Sequence, residues 1–379
     1  MPVLEMRTSE RAALKQCAQK WWWQNVEGLT PVRAANPLWF GSAVHEGLAG
    51  WYLLGSKRGP HPAETFSNFL EGDRSVLVTN EDEEQQYVDA RQMGIDMLER
   101  YVNFYGKDDD WEVIAVEKTF QILMKRKART VFGVDIPALD KWLRYVGTID
   151  GVYRNRITGE IWLMEHKTAA SIRVDHLPLD DQAGSYWALA GMMLRKAGLI
   201  GPKEEIAGIT YNFLRKAPDD PRPKNEEGLY TNKPVKDDYI AALDPFYELT
   251  GKETAAALAG LAEEFAKSEV GIENNFVVLG EVSKSQPPAY FERFPVYRSR
   301  GERQKMLDRI RDEAFFAEAY RSGDLPVTKS PSKDCAWCSF NRMCQLDESG
   351  DQIAVDEFKE TQFVFRDPYA AHQKKSAES

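Results

Sequence analysis

Asp150, Glu165 and Lys167 are the residues whose types and spacing point most directly to chemistry. Asp150 closes the run Gly147-Thr-Ile-Asp150 within residues 145–153, which read as a strand. Glu165 and Lys167 follow within residues 160–168, a second strand. Side chains alternate along a strand, so Glu165 and Lys167 share a face and His166 points away. The turn signal at residues 154–159 predicts a hairpin. That hairpin would set Asp150 beside Glu165. Two carboxylates and an ammonium then converge on one spot. The carboxylates can hold a divalent cation, Mg²⁺ or Mn²⁺, against a phosphate. The lysine can orient or help deprotonate a water, or neutralise developing charge. The chemistry is hydrolysis of a phosphodiester. A bare Glu-x-Lys is more often a surface ion pair. Here the flanking strands are apolar, a Gly-Thr-Ile-Asp run precedes the pair, and a helix with Gln182 and Tyr186 follows.

The chain has four cysteines: Cys17, and Cys335, Cys338 and Cys344 in a C-x2-C-x5-C cluster. Spacing this tight suggests metal ligation more than disulfides. Four thiolates suit a [4Fe–4S] cluster or a structural Zn²⁺, and the spacing does not choose between them. Either group would close a very long loop and stabilise the folded form. Trp337 and Phe340 are placed to shield it.

The elements that must position these groups form an ordered series. Residues 1–30 are expected to be helical, with a tryptophan cluster at Trp21, Trp22 and Trp23. These tryptophans, with Trp39 and Trp51, could stack bases or pack a core. A helix through residues 38–52 carries an apolar stripe, Phe40, Val44 and Leu48. Residues 59–75 and 81–106 read as surface-facing helices. Strands are expected at residues 111–120, 145–153, 160–168, 206–214 and 291–297, and helices at 178–198, 239–270 and 300–321. The order strand–strand–strand–helix–strand implies an α/β fold with a mixed central sheet flanked by helices. The expected organisation is a helical N-terminal region (1–110), a core (111–300) interrupted by an insertion at 216–290, a C-terminal helix and cysteine lobe (301–366), and a disordered tail (367–379).

Composition sets outer bounds. Of the 379 residues, 43% are hydrophobic and 28% charged, a globular balance. A net charge of −10 argues against a protein coated in basic residues to package nucleic acid. It leaves room for a local basic track such as Lys125, Arg126, Lys127 and Arg129, although a solvated loop or hairpin face accounts better for that run alone. No apolar run could span a membrane, and no signal-peptide layout opens the chain, so a cytoplasmic location is expected. No G-x-x-x-x-G-K-[ST] run is present, so any unwinding falls to a partner.

Taken together, the motifs resemble the PD-(D/E)XK nuclease superfamily. Within it they resemble the RecB-like exonucleases with a four-cysteine iron–sulfur cluster, and are similar to CRISPR-associated and AddB-type nucleases. Gly147-Thr-Ile-Asp150 and Glu165-His-Lys167 match the family's catalytic strands, and Gln182-Ala-Gly-Ser-Tyr186 matches its Q-x-x-x-Y helix. Gly41-Ser-Ala-Val-His45-Glu46 matches the family's Gly-x-x-x-His-Glu helix. The resemblance implies a restriction-endonuclease-like core with a C-terminal iron–sulfur lobe. It implies metal ligation by His45, Asp150, Glu165 and the carbonyl of His166, with Lys167, Gln182 and Tyr186 completing the site. Gln182 and Tyr186 would support the site and contact DNA. Glu117 lies where some relatives carry an acid. The implied activity is a Mg²⁺- or Mn²⁺-dependent DNA exonuclease acting on single strands or duplex ends. The alternatives are an endonuclease and a non-catalytic DNA-binding subunit of a recombination complex. A helicase or recombination partner is implied, and toroidal relatives make a ring-shaped oligomer conceivable.

Overall fold

The computed structural model describes residues 3–32, 36–131, 133–138 and 141–370. The chain divides into two compact units, residues 1–217 with 290–379, and residues 218–289.

The first unit opens with a strand where the sequence suggests a helix. β1 (Val3–Arg7) precedes α1 (Thr8–Gln16) and the short α2 (Ala18–Trp21). Leu4 and Met6 are buried in alternation, which is a strand's period and not a helix's. A π-helical segment, Trp22–Val26, follows. Its wider turn lets Trp21 enter one core while Trp23 enters another. Then come β2 (Leu29–Pro31), α3 (Asn36–Trp51), α4 (Pro62–Leu77) and α5 (Glu81–Tyr105). The latter two helices are not merely surface layers. They bury Phe66, Leu70, Met97, Leu98 and Tyr101 with Phe40, Val44 and Leu48 of α3 in a core of their own.

β3 (Trp111–Met124), a small hairpin of β4 (Arg129–Val131) and β5 (Val134–Ile136), and β6 (Trp142–Asn155) lead into β7 (Ile161–Ala169). α6 (Asp181–Lys196) carries the chain to β8 (Ile206–Arg215). In the second unit lie α7 (Lys236–Leu243), α8 (Ala255–Ala266) and α9 (Glu269–Glu273), where the sequence suggests one continuous helix. Leu243, Leu258, Ala262 and Phe265 form that unit's own small core. The first unit resumes with β9 (Phe291–Tyr297), α10 (Arg300–Ser322), α11 (Asn341–Glu348), α12 (Gln352–Gln362) and β10 (Phe363–Phe365).

Six strands form a mixed sheet in the order β1-β6-β7-β8-β9, with β3 on the other flank of β6. β7 and β8 run parallel across the α6 crossover, and β9 returns antiparallel. The pairing along β6 is uneven on its two sides. β3 follows β6 along nearly its whole length. On its other side, β6 pairs with β1 only over residues 142–146 and with β7 only over residues 151–154. The sheet therefore forks at residues 147–150, the stretch Gly-Thr-Ile-Asp.

α1, α6 and α10 pack on one face of the sheet, and α3, α4 and α5 on the other. The two ends of the first unit meet in a C-terminal lobe. There β2 pairs antiparallel with β10, and Trp23 packs with Phe340, Met343, Val355 and Phe363. The tryptophans singled out in the sequence pack into these cores: Trp21 and Trp23 are buried, and Trp22, Trp39 and Trp51 pack half-buried against them. No helix among the described residues is long and apolar enough to cross a membrane. The expected disordered tail begins too early. Tyr369 is anchored, its hydroxyl donating to Glu10 and to the Glu5 carbonyl 2.9 Å away. The rest of that tail, residues 371–379, lies outside the described residues.

Candidate metal centre and cysteine lobe

Asp150 stands in the fork. Gly151 pairs with Met164, so the antiparallel register carries Asp150 opposite Glu165. With no ladder partner on this side of the strand, the Asp150 carboxylate reaches across the gap. Its Oδ2 accepts the His166 backbone N–H at 2.8 Å. Its Oδ1 lies 3.4 Å from His45 Nδ1 on α3. Gly147, at the other end of the fork, cannot carry a side chain. A Cβ there would come within 2.7 Å of the Tyr186 ring and 2.8 Å of the Phe120 ring.

Glu117 enters from β3. It adopts φ +44°, a left-handed conformation that costs a non-glycine residue roughly 1–2 kcal/mol. The strand's alternation changes phase there. Ala115 faces the same core as Phe120, Ile122 and Met124, although Phe120 lies an odd five positions further on. The twist delivers the Glu117 carboxylate to the fork. Ligand atoms of His45, Glu117 and Asp150 all lie within 4.8 Å of one another, an arrangement able to hold one metal ion. Spacing and pattern alone assign Glu117 no firm role. The readable signal was an acid interrupting an apolar strand, and its pairing opposite Asp150 became visible only with the register.

The electrostatics favour a cation. Burial disfavours charge on His45, but Asp150, Glu165 and Glu117 outweigh it and carry the imidazole up to about 9. Without metal, a proton is held where these acids concentrate negative potential. Asp150 stays ionised despite burial, held low by His45 and by the His166 amide. Glu165, only 3% exposed, is pushed up by burial and by Asp150, against the pull of Lys167. Its Oε1 accepts from Lys167 Nζ at 2.7 Å. Burial works against the Lys167 charge, but Glu165, Asp180 and Asp150 overcome it and hold the ammonium protonated.

The remaining expected residues fall in different places. Tyr186 is buried at 7% exposure, edge-on to Phe120. It braces the fork from beneath and offers no surface to DNA. Gln182 is exposed on the first turn of α6, where the Asp180 side chain caps its N–H. The His166 imidazole points away from Lys167, as alternation requires, and Asn212 Nδ2 lies 2.9 Å from its Nδ1. In the suggested basic track, Arg126 is buried over the Phe315 ring at 4.0 Å and paired with Asp312. Its guanidinium is therefore not on the surface.

All four cysteines, Cys17, Cys335, Cys338 and Cys344, line one cavity of about 300 Å³ in the C-terminal lobe, with Trp23 and Phe340 in its wall. Burial and the other three thiols push Cys344 up to about 11, against the nearby Lys329. Four thiols around one cavity could hold a tetrahedral zinc or an iron–sulfur cluster. Phe340 is buried beside it, but Trp337 is 91% exposed and shields nothing.

Glu117→Gly is expected to leave stability within about 1 kcal/mol, because relief of the left-handed backbone offsets glycine's entropy cost. It should weaken Mn²⁺ binding at least tenfold. Urea unfolding and calorimetric titration with Mn²⁺ check the two halves, and unchanged metal affinity would remove Glu117 from the site.

The model of the PD-(D/E)XK nuclease superfamily matches residues 8–345 of the chain. No curated protein matches it.

Proposed function

This chain belongs to the PD-(D/E)XK nuclease superfamily, and from that premise we propose that it is a metal-dependent DNA exonuclease of the RecB-like type. The observation that carries the reading is the trio His45, Glu117 and Asp150, placed in the sheet's fork beside the Glu165–Lys167 pair. A divalent cation held there supplies positive charge against the attacked phosphate and makes a water easier to deprotonate. The trio binds and orients; Mg²⁺ suits the carboxylates, and the imidazole extends the choice toward Mn²⁺. The carbonyl of His166 is proposed as a further ligand. Lys167, held protonated and fixed by Glu165, positions the attacking water and offsets charge developing on the phosphate oxygens. Glu165, raised toward neutrality, is suited to accept the proton that water gives up. Gln182 and Tyr186 support the site, Gln182 at the surface and Tyr186 underneath.

The cysteine lobe is proposed to hold a [4Fe–4S] cluster. The support is the convergence of all four cysteines on one cavity and the C-x2-C-x5-C pattern. Its role is structural: it joins the chain's beginning to its end, a task shared with the β2–β10 pairing. Exonuclease action, a helicase or recombination partner and a cytoplasmic setting rest on the resemblance of the motifs.

The test is anaerobic purification with iron and zinc analysis, followed by cleavage of end-labelled linear and circular single-stranded DNA with Mg²⁺ or Mn²⁺. Iron-containing protein that degrades linear DNA progressively and spares circles supports the reading. Cutting of circles moves it to an endonuclease. Zinc in place of iron overturns the cluster assignment alone, and no cleavage of any DNA points to a non-catalytic binding subunit.

A further inference from the structure

Behind the metal centre lies a buried polar network that the nuclease reading does not use. Arg293 on β9 forms a two-point pair with Asp108, at 2.9 and 2.6 Å. It also donates to the hydroxyls of Tyr52, at 3.2 Å, and Tyr101, at 3.0 Å. Its Nε donates to Asn212 Oδ1 at 3.2 Å. Asp108 itself adopts φ +52°, a second costly backbone conformation placed to meet this guanidinium.

A guanidinium can only donate. The Asn212 oxygen must therefore face Arg293, which turns the Asn212 Nδ2 away from it. That nitrogen reaches Tyr101 at 3.0 Å and His166 Nδ1 at 2.9 Å. An amide nitrogen only donates, so His166 Nδ1 must accept. The His166 proton then sits on Nε2. Arg293 thus sets the polarity of a chain of hydrogen bonds that ends on an imidazole in the catalytic strand. The backbone N–H of His166 donates to Asp150 Oδ2. The ring is further fixed by Tyr52, stacked at 6.3 Å and 15°, and by His45, edge-on at 6.1 Å.

We propose that Asn212 and Arg293 are positioning residues of the metal centre. They lock His166 as the Nε2–H tautomer and hold β7 where the His166 amide orients Asp150. Second-layer groups of this kind typically contribute ten- to hundredfold to metal affinity. The inference deepens the metal-site reading and rests on it.

The decisive measurement is the tautomer, read by long-range ¹⁵N–¹H correlation of the imidazoles in ¹⁵N-labelled full-length protein, with His166→Asn to assign the signal. The expected wild-type pattern is an unprotonated Nδ1 and a protonated Nε2. Asn212→Asp replaces the donor with an acceptor, so the proton should move to Nδ1. Its affinity for Mn²⁺ alone, measured by calorimetry, should fall ten- to hundredfold. Asn212→Leu removes the donor without replacing it; it should lose affinity comparably and leave the tautomer mixed. A wild-type Nδ1–H tautomer overturns the proposal, even if neither variant folds. So does wild-type Mn²⁺ affinity in both variants. Neither readout involves DNA, so a protein that cuts nothing would sink the nuclease reading and leave this one standing.

Discussion

Lys167→Ala is expected to lower the rate of DNA cleavage by about 10³-fold or more, with DNA affinity changed only a few-fold. The ammonium is half-buried, kept protonated, and held 2.7 Å from Glu165, on the face of β7 that meets Asp150. A preorganised cation of this kind acts on charge that exists mainly in the transition state, so its loss appears in kcat and not in binding. A factor of 10³ corresponds to about 4 kcal/mol of barrier. A second effect runs in the same direction. Without Lys167, the Glu165 carboxyl loses the charge and hydrogen bond that offset burial and Asp150. It then takes up a proton more readily and is a poorer proton acceptor near neutrality. The loss should therefore be partly recovered as the pH rises. Single-turnover cleavage of end-labelled DNA across a pH series, beside filter binding, measures both parts. A variant that retains a tenth of the wild-type rate at neutral pH would exclude Lys167 from the chemistry.

Cys335→Ser is expected to produce the largest loss of stability of any single surface-accessible change. Cys17 and Cys335 lie 318 positions apart, and a group bound to both closes almost the entire chain. Closure of a loop that long is worth on the order of 5 kcal/mol by the entropy estimate for cross-links. Not all of this will be lost, because other contacts join the same two ends. β2 pairs with β10, Trp23 packs on Phe340 at 5.6 Å, and the Gln19 N–H donates to the Thr328 carbonyl. The expected result is loss of bound iron, a melting temperature lower by several degrees or more, and early proteolysis within residues 324–370. The catalytic fork is built from other elements, so Mn²⁺ binding by surviving folded protein should remain. If the variant keeps its iron and melts as wild type does, the cavity is not the site of a structural cluster.

The sequence by itself determined the parts of this protein that depend on local order. Alternation along residues 160–168 put Glu165 and Lys167 on one face and His166 on the other, and the structure follows it. The turn at residues 154–159 dictated the hairpin, and with it the placing of Asp150 opposite Glu165. The four cysteines were legible as a group because three of them sit within ten positions. Their common cavity with Cys17 is a tertiary fact.

Long-range pairing decided the rest. β1 carries little readable strand signal because its partner, residues 142–146, lies well over a hundred positions away, and a parallel edge strand leaves little local signature. That same pairing creates the fork at residues 147–150, so the reason for Gly-Thr-Ile-Asp lies in a strand the sequence did not show. Glu117 needed a left-handed backbone to turn toward Asp150, and no propensity argument predicts such a residue in mid-strand. Asn212, Arg293 and Asp108 sit at distant positions on three segments and share a function only once the sheet brings them behind His166. Side-chain period and turn chemistry are written in neighbouring residues. A metal site built from three strands and a helix is set by which of those elements lie side by side, and that is settled only when the whole core packs.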